Sequence, residues 1–176
     1  MEIPYRLFAG LLEYPAVDLG RQAGECLDWL SSAGSPVAAR IETFRDYVRE
    51  APQARMEELY TRTFDLQAVC SPYVGYQLFG DSYKRGIFMA RLNEGYRERS
   101  FLAGSELPDH VAVVLRFLAP GAGDEFRRAL LADGLLPALA KMAQALCSPS
   151  DNPYAAVIGA LSLALADGDK TGVDDA

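Results

Sequence analysis

The sequence predicts an all-α protein: one helical-bundle domain of about nine helices over residues 1–166, then a flexible acidic tail over 167–176. Three observations carry that prediction. Apolar residues recur at helical spacing in one stretch after another. Proline, glycine and capping residues cut the chain into helix-sized pieces. No segment keeps the strict alternation of a strand. With 176 residues, half of them hydrophobic, the chain is long and apolar enough to bury one sizeable core.

Residues 4–13 predict a first helix with Tyr5, Phe8 and Leu12 on one face. Tyr14-Pro15 ends it, because the residue before a proline leaves the α region. Asp18 is placed to cap a second helix whose stripe is Leu19, Ala23, Cys26, Leu27 and Leu30, with Gly34 as its stop. Ser35-Pro36 pairs a cap with a first-turn proline, and Val37, Ile41, Phe44 and Val48 follow before Pro52 breaks the pattern. A fourth stripe is Met56, Leu59, Tyr60, Thr63 and Phe64. Residues 67–78 lose the period and read as an ordered connection, long enough to be functional. A long helix is expected over 79–98 with Phe88, Met89, Leu92 and Tyr96 inward, then a second connection over 100–107. Pro108 and Asp109 suit the first turn of a central helix, and Val111, Val114, Leu115 and Leu118 share its face with Arg116 as its one charge. Pro120 and Gly121-Ala122-Gly123 stop it. Asp124 caps a seventh helix with Gly134 after it, an eighth carries Leu139, Met142, Ala143 and Leu146, and Asn152-Pro153 opens the last, with Tyr154, Val157, Ile158, Leu161 and Leu165.

The composition excludes several function classes. A net charge of −7 argues against nucleic acid and suits a basic partner such as an Arg- or Lys-bearing peptide. The N-terminus lacks the features of a secretion signal and no apolar run reaches membrane-spanning length, so a cytoplasmic protein without membrane insertion is expected. Cys26, Cys70 and Cys147 are scattered and read as buried thiols rather than a disulfide frame. One histidine and distant cysteines make no metal site. No serine sits at a presented turn for a triad, and the Gly121 run lacks the preceding strand of a phosphate loop. Residues 167–172 resemble the start of a calcium loop, but the final glutamate is missing. No catalytic residue is predicted.

What remains is a binding surface. Glu106-Leu107-Pro108-Asp109-His110 holds the only histidine at the mouth of the most apolar helix. The helix dipole there disfavours a protonated His110, yet an imidazole titrates near neutrality and a pH-sensitive contact is expected. Tyr60, Phe64, Tyr73, Tyr76, Phe79 and Tyr83 crowd around the aperiodic connection, with Arg62, Lys84 and Arg85 among them. Core packing explains Phe64 and Phe79 best; the tyrosines suit an amphipathic groove that buries rings while hydroxyls stay wet. The Asp109-His110 pair also admits a nucleotide-binding helical protein, and the composition admits a general helical scaffold.

The segments Glu58–Asp65, Ser71–Gly86 and Glu106–His110, together with Leu-Leu-Glu-Tyr-Pro at 11–15, resemble the NarJ-type nitrate reductase assembly chaperones, within the wider family of TorD and DmsD. The resemblance covers residues 3 to about 120. It implies a TorD-like cytoplasmic chaperone that is not an enzyme and binds no cofactor stably. Such a protein assists insertion of a molybdopterin cofactor into its client. It implies as partner the N-terminal segment of the catalytic subunit of a respiratory nitrate reductase, or of a selenate, chlorate, dimethyl sulfide or ethylbenzene enzyme. Molybdenum cofactor biosynthesis proteins are further expected partners, and the chain is expected as a monomer or helix-swapped dimer. The peptide-binding residues this points to are Tyr60, Phe64, Tyr73, Tyr76, Tyr83, Glu106, Pro108, Asp109 and His110, with Asp109 the expected anionic contact. The expected groove lies between the fourth and fifth helices, the aperiodic connection and the Pro108-Asp109-His110 hinge.

Overall fold

A computed structural model describes residues 4–66, 68–120, 123–147 and 151–170, with side chains through Ala166. Among these residues the chain forms nine continuous helices. They are α1 Tyr5–Leu11, α2 Leu19–Ser32, α3 Ala38–Glu50, α4 from Gln53, α5 Val74–Phe79, α6 Tyr83–Glu98, α7 Val111–Leu118, α8 Glu125–Leu146 and α9 Tyr154–Lys170. Two helices change pitch along their length. α4 runs Gln53–Tyr60 and continues as a π turn, Thr61–Asp65; α8 holds a π turn at Leu130–Leu135.

α7 is the axis of the bundle because nearly every side chain it carries is apolar. Val111 through Leu115, Phe117 and Leu118 are all at most 1% exposed. Burying each of the larger ones contributes roughly 1.5–3 kcal/mol. α1 packs on α7, α2 packs on α1 and α3, and α9 lies against both α3 and α8. The faces that meet are the stripes read from sequence: Phe8 and Leu12, Leu27 and Leu30, Ile41 and Phe44, Val157 and Leu161 are buried. Phe44, Tyr60, Phe64 and Tyr154 join α3, α4 and α9 in one aromatic cluster, with centroids 4.9 Å apart for Phe64 and Tyr154.

The expected count of helices is met with different cuts. Residues 74–78, expected as connection, form α5 together with Phe79. They are separated from α6 by Gly80, whose φ of +63° only a residue without Cβ adopts freely. The expected seventh and eighth helices are one, because the π turn at 130–135 carries Gly134 inside the helix and no stop occurs there. The helix expected to open at Pro108 starts at Val111, with His110 as its N-cap. Of the expected caps, Asp124 accepts from Arg127 N–H (3.1 Å) and Asn152 from Tyr154 N–H (3.0 Å). Asp18 makes no cap bond and holds Arg21, while Ser35 Oγ is buried without a partner.

Three further expectations change. α8 is 22 residues long and apolar enough to cross a membrane by length and composition, against the expectation that no such stretch exists. Its apolar face, Leu135, Ala138, Leu139, Met142 and Leu146, is the buried side of an amphipathic core helix. Cys147 is exposed, whereas Cys26 and Cys70 are buried as expected. The last helix runs to Lys170, into the stretch expected as tail. Residues 171–176, and with them the end of the calcium-like segment, lie outside the described residues, as do Gly121 and Ala122 of the predicted stop.

Candidate functional site

Two connections that are far apart in sequence meet at the heads of α5 and α7. Val74 N–H donates to the Asp109 carbonyl (2.7 Å) and Val111 N–H to the Pro72 carbonyl (2.9 Å), so Tyr73 and His110 form an isolated antiparallel bridge. The bonds satisfy the first N–H of each helix, which has no partner inside it. The two rings meet edge-on at 5.5 Å. His110 Nδ1 accepts from Ala112 N–H at 3.2 Å, capping α7 and leaving the proton of the neutral imidazole on Nε2.

Beside this bridge opens a cleft of about 580 Å³. Its walls are Glu13 and Tyr14 after α1, Tyr60, Phe64 and Asp65 of α4, Pro72 and Tyr73, the 103–106 connection, and His110, Ala112 and Arg116. Tyr14 stands edge-on to Tyr60 at 5.4 Å, and the Tyr60 hydroxyl donates to the Leu12 carbonyl at 3.3 Å. Arg116, the one charge on α7, pairs with Glu13 across the cleft. Asp65 and Glu106 line the same cleft and have no ion-pair partner among the described residues.

The electrostatics follow from this arrangement. Burial holds the Tyr60 phenol up, and Glu106, Tyr73 and Asp65 push it the same way. Tyr73 is raised by burial, then by Glu106, Asp109 and Asp65, with Arg85 opposing. Burial lowers His110 below its ordinary 6.5, against the pull of Glu106 and Asp109. The expected titration near neutrality is thereby moved to the acid side, and His110 is neutral at pH 7.

Of the residues predicted from sequence, Tyr60, Phe64, Tyr73, Glu106 and His110 are brought together at this cleft. Phe64 contributes mainly as core, at 3% exposure. Pro108 and Asp109 lie beneath it. The Pro108 carbonyl accepts from the Tyr96 hydroxyl at 2.8 Å. Asp109 is fully buried, and its carboxylate takes two bonds from Arg85, from Nε at 2.9 Å and Nη2 at 3.3 Å. The expected anionic contact is corrected on that ground: the Asp109 charge is spent on Arg85 and is not presented to a peptide. Arg85 also stacks over Tyr73 (5.1 Å) and Tyr76 (5.8 Å), fixing the Tyr73 ring from behind.

Tyr76 and Tyr83 do not line the cleft; they are exposed on α5 and at the start of α6. Phe79, expected as core, is 38% exposed. The expected groove wall from the fifth helix is absent, since no residue of α6 lines the cleft. Glu13 and Tyr14, after α1, and the 103–106 connection supply that wall. Tyr14, Asp65 and Arg116 belong to the site and were not among the predicted set. Signals existed for each: Tyr14 in the Leu-Leu-Glu-Tyr-Pro segment, Asp65 closing the 58–65 segment, and Arg116 as a lone charge on an apolar helix. Among the described residues no group of three His, Cys, Asp or Glu side chains gathers to hold a metal ion.

With the geometry in place, comparison with known proteins adds a family. The model of the nitrate reductase delta subunit family matches residues 31–158. Over 161 residues, 91% of this chain, it is 28% identical to the nitrate reductase-like protein NarX of Mycobacterium tuberculosis, in strains CDC 1551 / Oshkosh and H37Rv. The chain spans only 24% of the length of these relatives. Among solved structures, a proposed redox enzyme maturation protein from Archaeoglobus fulgidus shares the fold. The TM-score is 0.62 at 23% identity, over 92% of this chain and 91% of that one.

Proposed function

This chain belongs to the nitrate reductase delta subunit family, a family of maturation chaperones rather than enzymes, and on that premise we propose which partner it holds and where. The partner is the N-terminal segment of the catalytic subunit of a respiratory nitrate reductase, bound in the cytoplasm while that subunit receives its molybdopterin cofactor. Related molybdoenzymes are the alternative clients. The segment docks in the cleft beside the Tyr73–His110 bridge.

One observation carries the proposal. Asp65 and Glu106 stand unpaired in a cleft floored by Tyr60, Tyr73 and a neutral His110. Such a cleft receives a chain segment that has a cationic side chain beside apolar ones. The acids steer and orient the cation, and the rings bury area around it. Tyr14 and Tyr60 offer an aromatic face on which a guanidinium stacks. Arg85 and Asp109 act at one remove, as positioning residues that hold Tyr73 and the α7 cap.

Calorimetry of the full chain with synthetic N-terminal segments of candidate catalytic subunits tests this. One-to-one binding that weakens with salt is expected, with a shallower salt slope in Asp65→Asn and Glu106→Gln. Affinity and salt slope unchanged in both variants refute the cleft as the docking place. Tighter binding of a selenate or chlorate enzyme segment than of a nitrate reductase segment reassigns the client.

A further inference from the structure

The second cleft of the bundle shares no residue with the first. It lies between α6 and α8, has a volume of about 510 Å³, and is floored by Phe79, Phe88, Leu92, Phe126 and Leu130. Two glycines shape it. A Cβ at Gly95 would lie 2.3 Å from Phe126 Cζ and 2.4 Å from Cε1, so the far edge of the ring packs directly on the α6 backbone. A Cβ at Gly134 would stand 3.1 Å from Leu130 Cδ1 and 3.9 Å from Phe88 Cζ. Leu130, Asp133 and Gly134 all belong to the π turn of α8. The π turn of α4 supplies Phe64 and Asp65 to the first cleft in the same way. Single π turns inside α-helices occur frequently at functional sites.

The rim decides what fits. Arg91 is the one base among the lining residues against Glu94, Glu98 and Asp133; Glu94 and Glu98 make exposed pairs with Arg97 (4.0 Å) and Arg99 (3.1 Å), and Asp133 has no ion-pair partner among the described residues. The apolar floor continues outward from Phe79, with Ile87 41% exposed on α6. We propose that this cleft is a second docking surface, and that its occupant is a basic amphipathic helix of a partner protein. Two or three apolar side chains of that helix fill the floor between Phe88 and Leu130, and its lysines or arginines meet Glu94, Glu98 and Asp133. The α6 wall from Phe88 to Glu98 is about 15 Å long, which matches three turns of such a helix. A second copy of this chain is a poor occupant, because it brings a net charge of −7 to an acidic rim.

The proposal goes beyond the client reading and is tested separately from it. The full chain, labelled with ¹⁵N, is titrated with a three-turn peptide carrying leucines at i, i+3, i+4 and i+7 and lysines on its flanks. A matched peptide has glutamates in place of the lysines. Shift changes centred on Phe88, Ala129 and Leu130 are expected for the lysine peptide. At low salt its affinity should fall at least about tenfold in Asp133→Lys, and Ala129→Trp should abolish binding by filling the cleft. Both substitutions are at exposed positions, so the fold is retained. Four results overturn the proposal: no binding of either peptide, equal binding of both, shifts confined to Tyr73 and His110, or a dimer in sedimentation that hides the same residues. Asp65→Asn and Glu106→Gln leave this titration unchanged, which separates its failure from that of the first cleft.

Discussion

Cutting the Arg85–Asp109 pair from one side or the other should give unequal losses. Asp109 is fully buried, whereas the Arg85 side chain keeps 18% of its exposure and lies over two tyrosine rings. Removing one partner of a buried pair costs about 3–5 kcal/mol, chiefly because the other charge is stranded. Asp109→Asn strands the guanidinium, which reaches water with a small shift and keeps its stacking, so the loss belongs at the lower end, about 3 kcal/mol. Arg85→Met strands a carboxylate with no route to solvent, so the loss belongs near about 5 kcal/mol. The double variant leaves no charge to strand and should be better than the sum of the singles by about 2 kcal/mol or more. Urea unfolding of the four proteins at pH 7 measures all three quantities. The reasoning fails if Asp109→Asn is the costlier single change, or if the two losses simply add.

Three further outcomes follow from the same geometry. Because burial holds the folded imidazole of His110 below its unfolded value of 6.5, the unfolded chain binds the proton more readily. The stability this contributes is complete above pH 6.5 and drains away as pH falls from there through the folded value. His110→Asn, which keeps an N-cap acceptor, should flatten that part of the stability-versus-pH curve; an unchanged slope contradicts the assignment. Native thiol labelling at pH 8 should modify Cys147 alone, since burial pushes Cys26 and Cys70 up to about 12; prompt modification of all three cysteines in the folded chain would contradict it. Gly75→Ala should destabilise by about 1–2 kcal/mol: the helix-propensity gain of about 1 kcal/mol is outweighed by overpacking in the upper part of its range, about 2–3 kcal/mol. The new Cβ would stand 2.8 Å from Asp109 Oδ2 and 2.9 Å from Phe88 Cδ1, and a neutral or raised melting temperature would show that Asp109 can yield there.

Much of the site was legible because its parts carry local signals. Tyr60 and Phe64 sit on a helical stripe, and Glu106 to His110 announce a helix entry. What misled was charge and direction. Asp109 reads as a first-turn acid because proline precedes it, but Arg85, from a different helix, takes its carboxylate into the core. Tyr73, Tyr76 and Tyr83 look equivalent in a row of aromatics. Gly80 turns the chain between α5 and α6, and only Tyr73 reaches the cleft.

The sequence by itself determined the helical class, the inward faces and the central place of α7, since these depend on apolar spacing within one turn or two. Tertiary structure decided the pairing of Pro72–Tyr73 with Asp109–Val111, the merging of two predicted helices into α8, and the split of the aromatics between two clefts. Those outcomes depend on which distant backbone groups and charges find each other when the helices pack. Such long-range contacts leave no periodic trace in the chain.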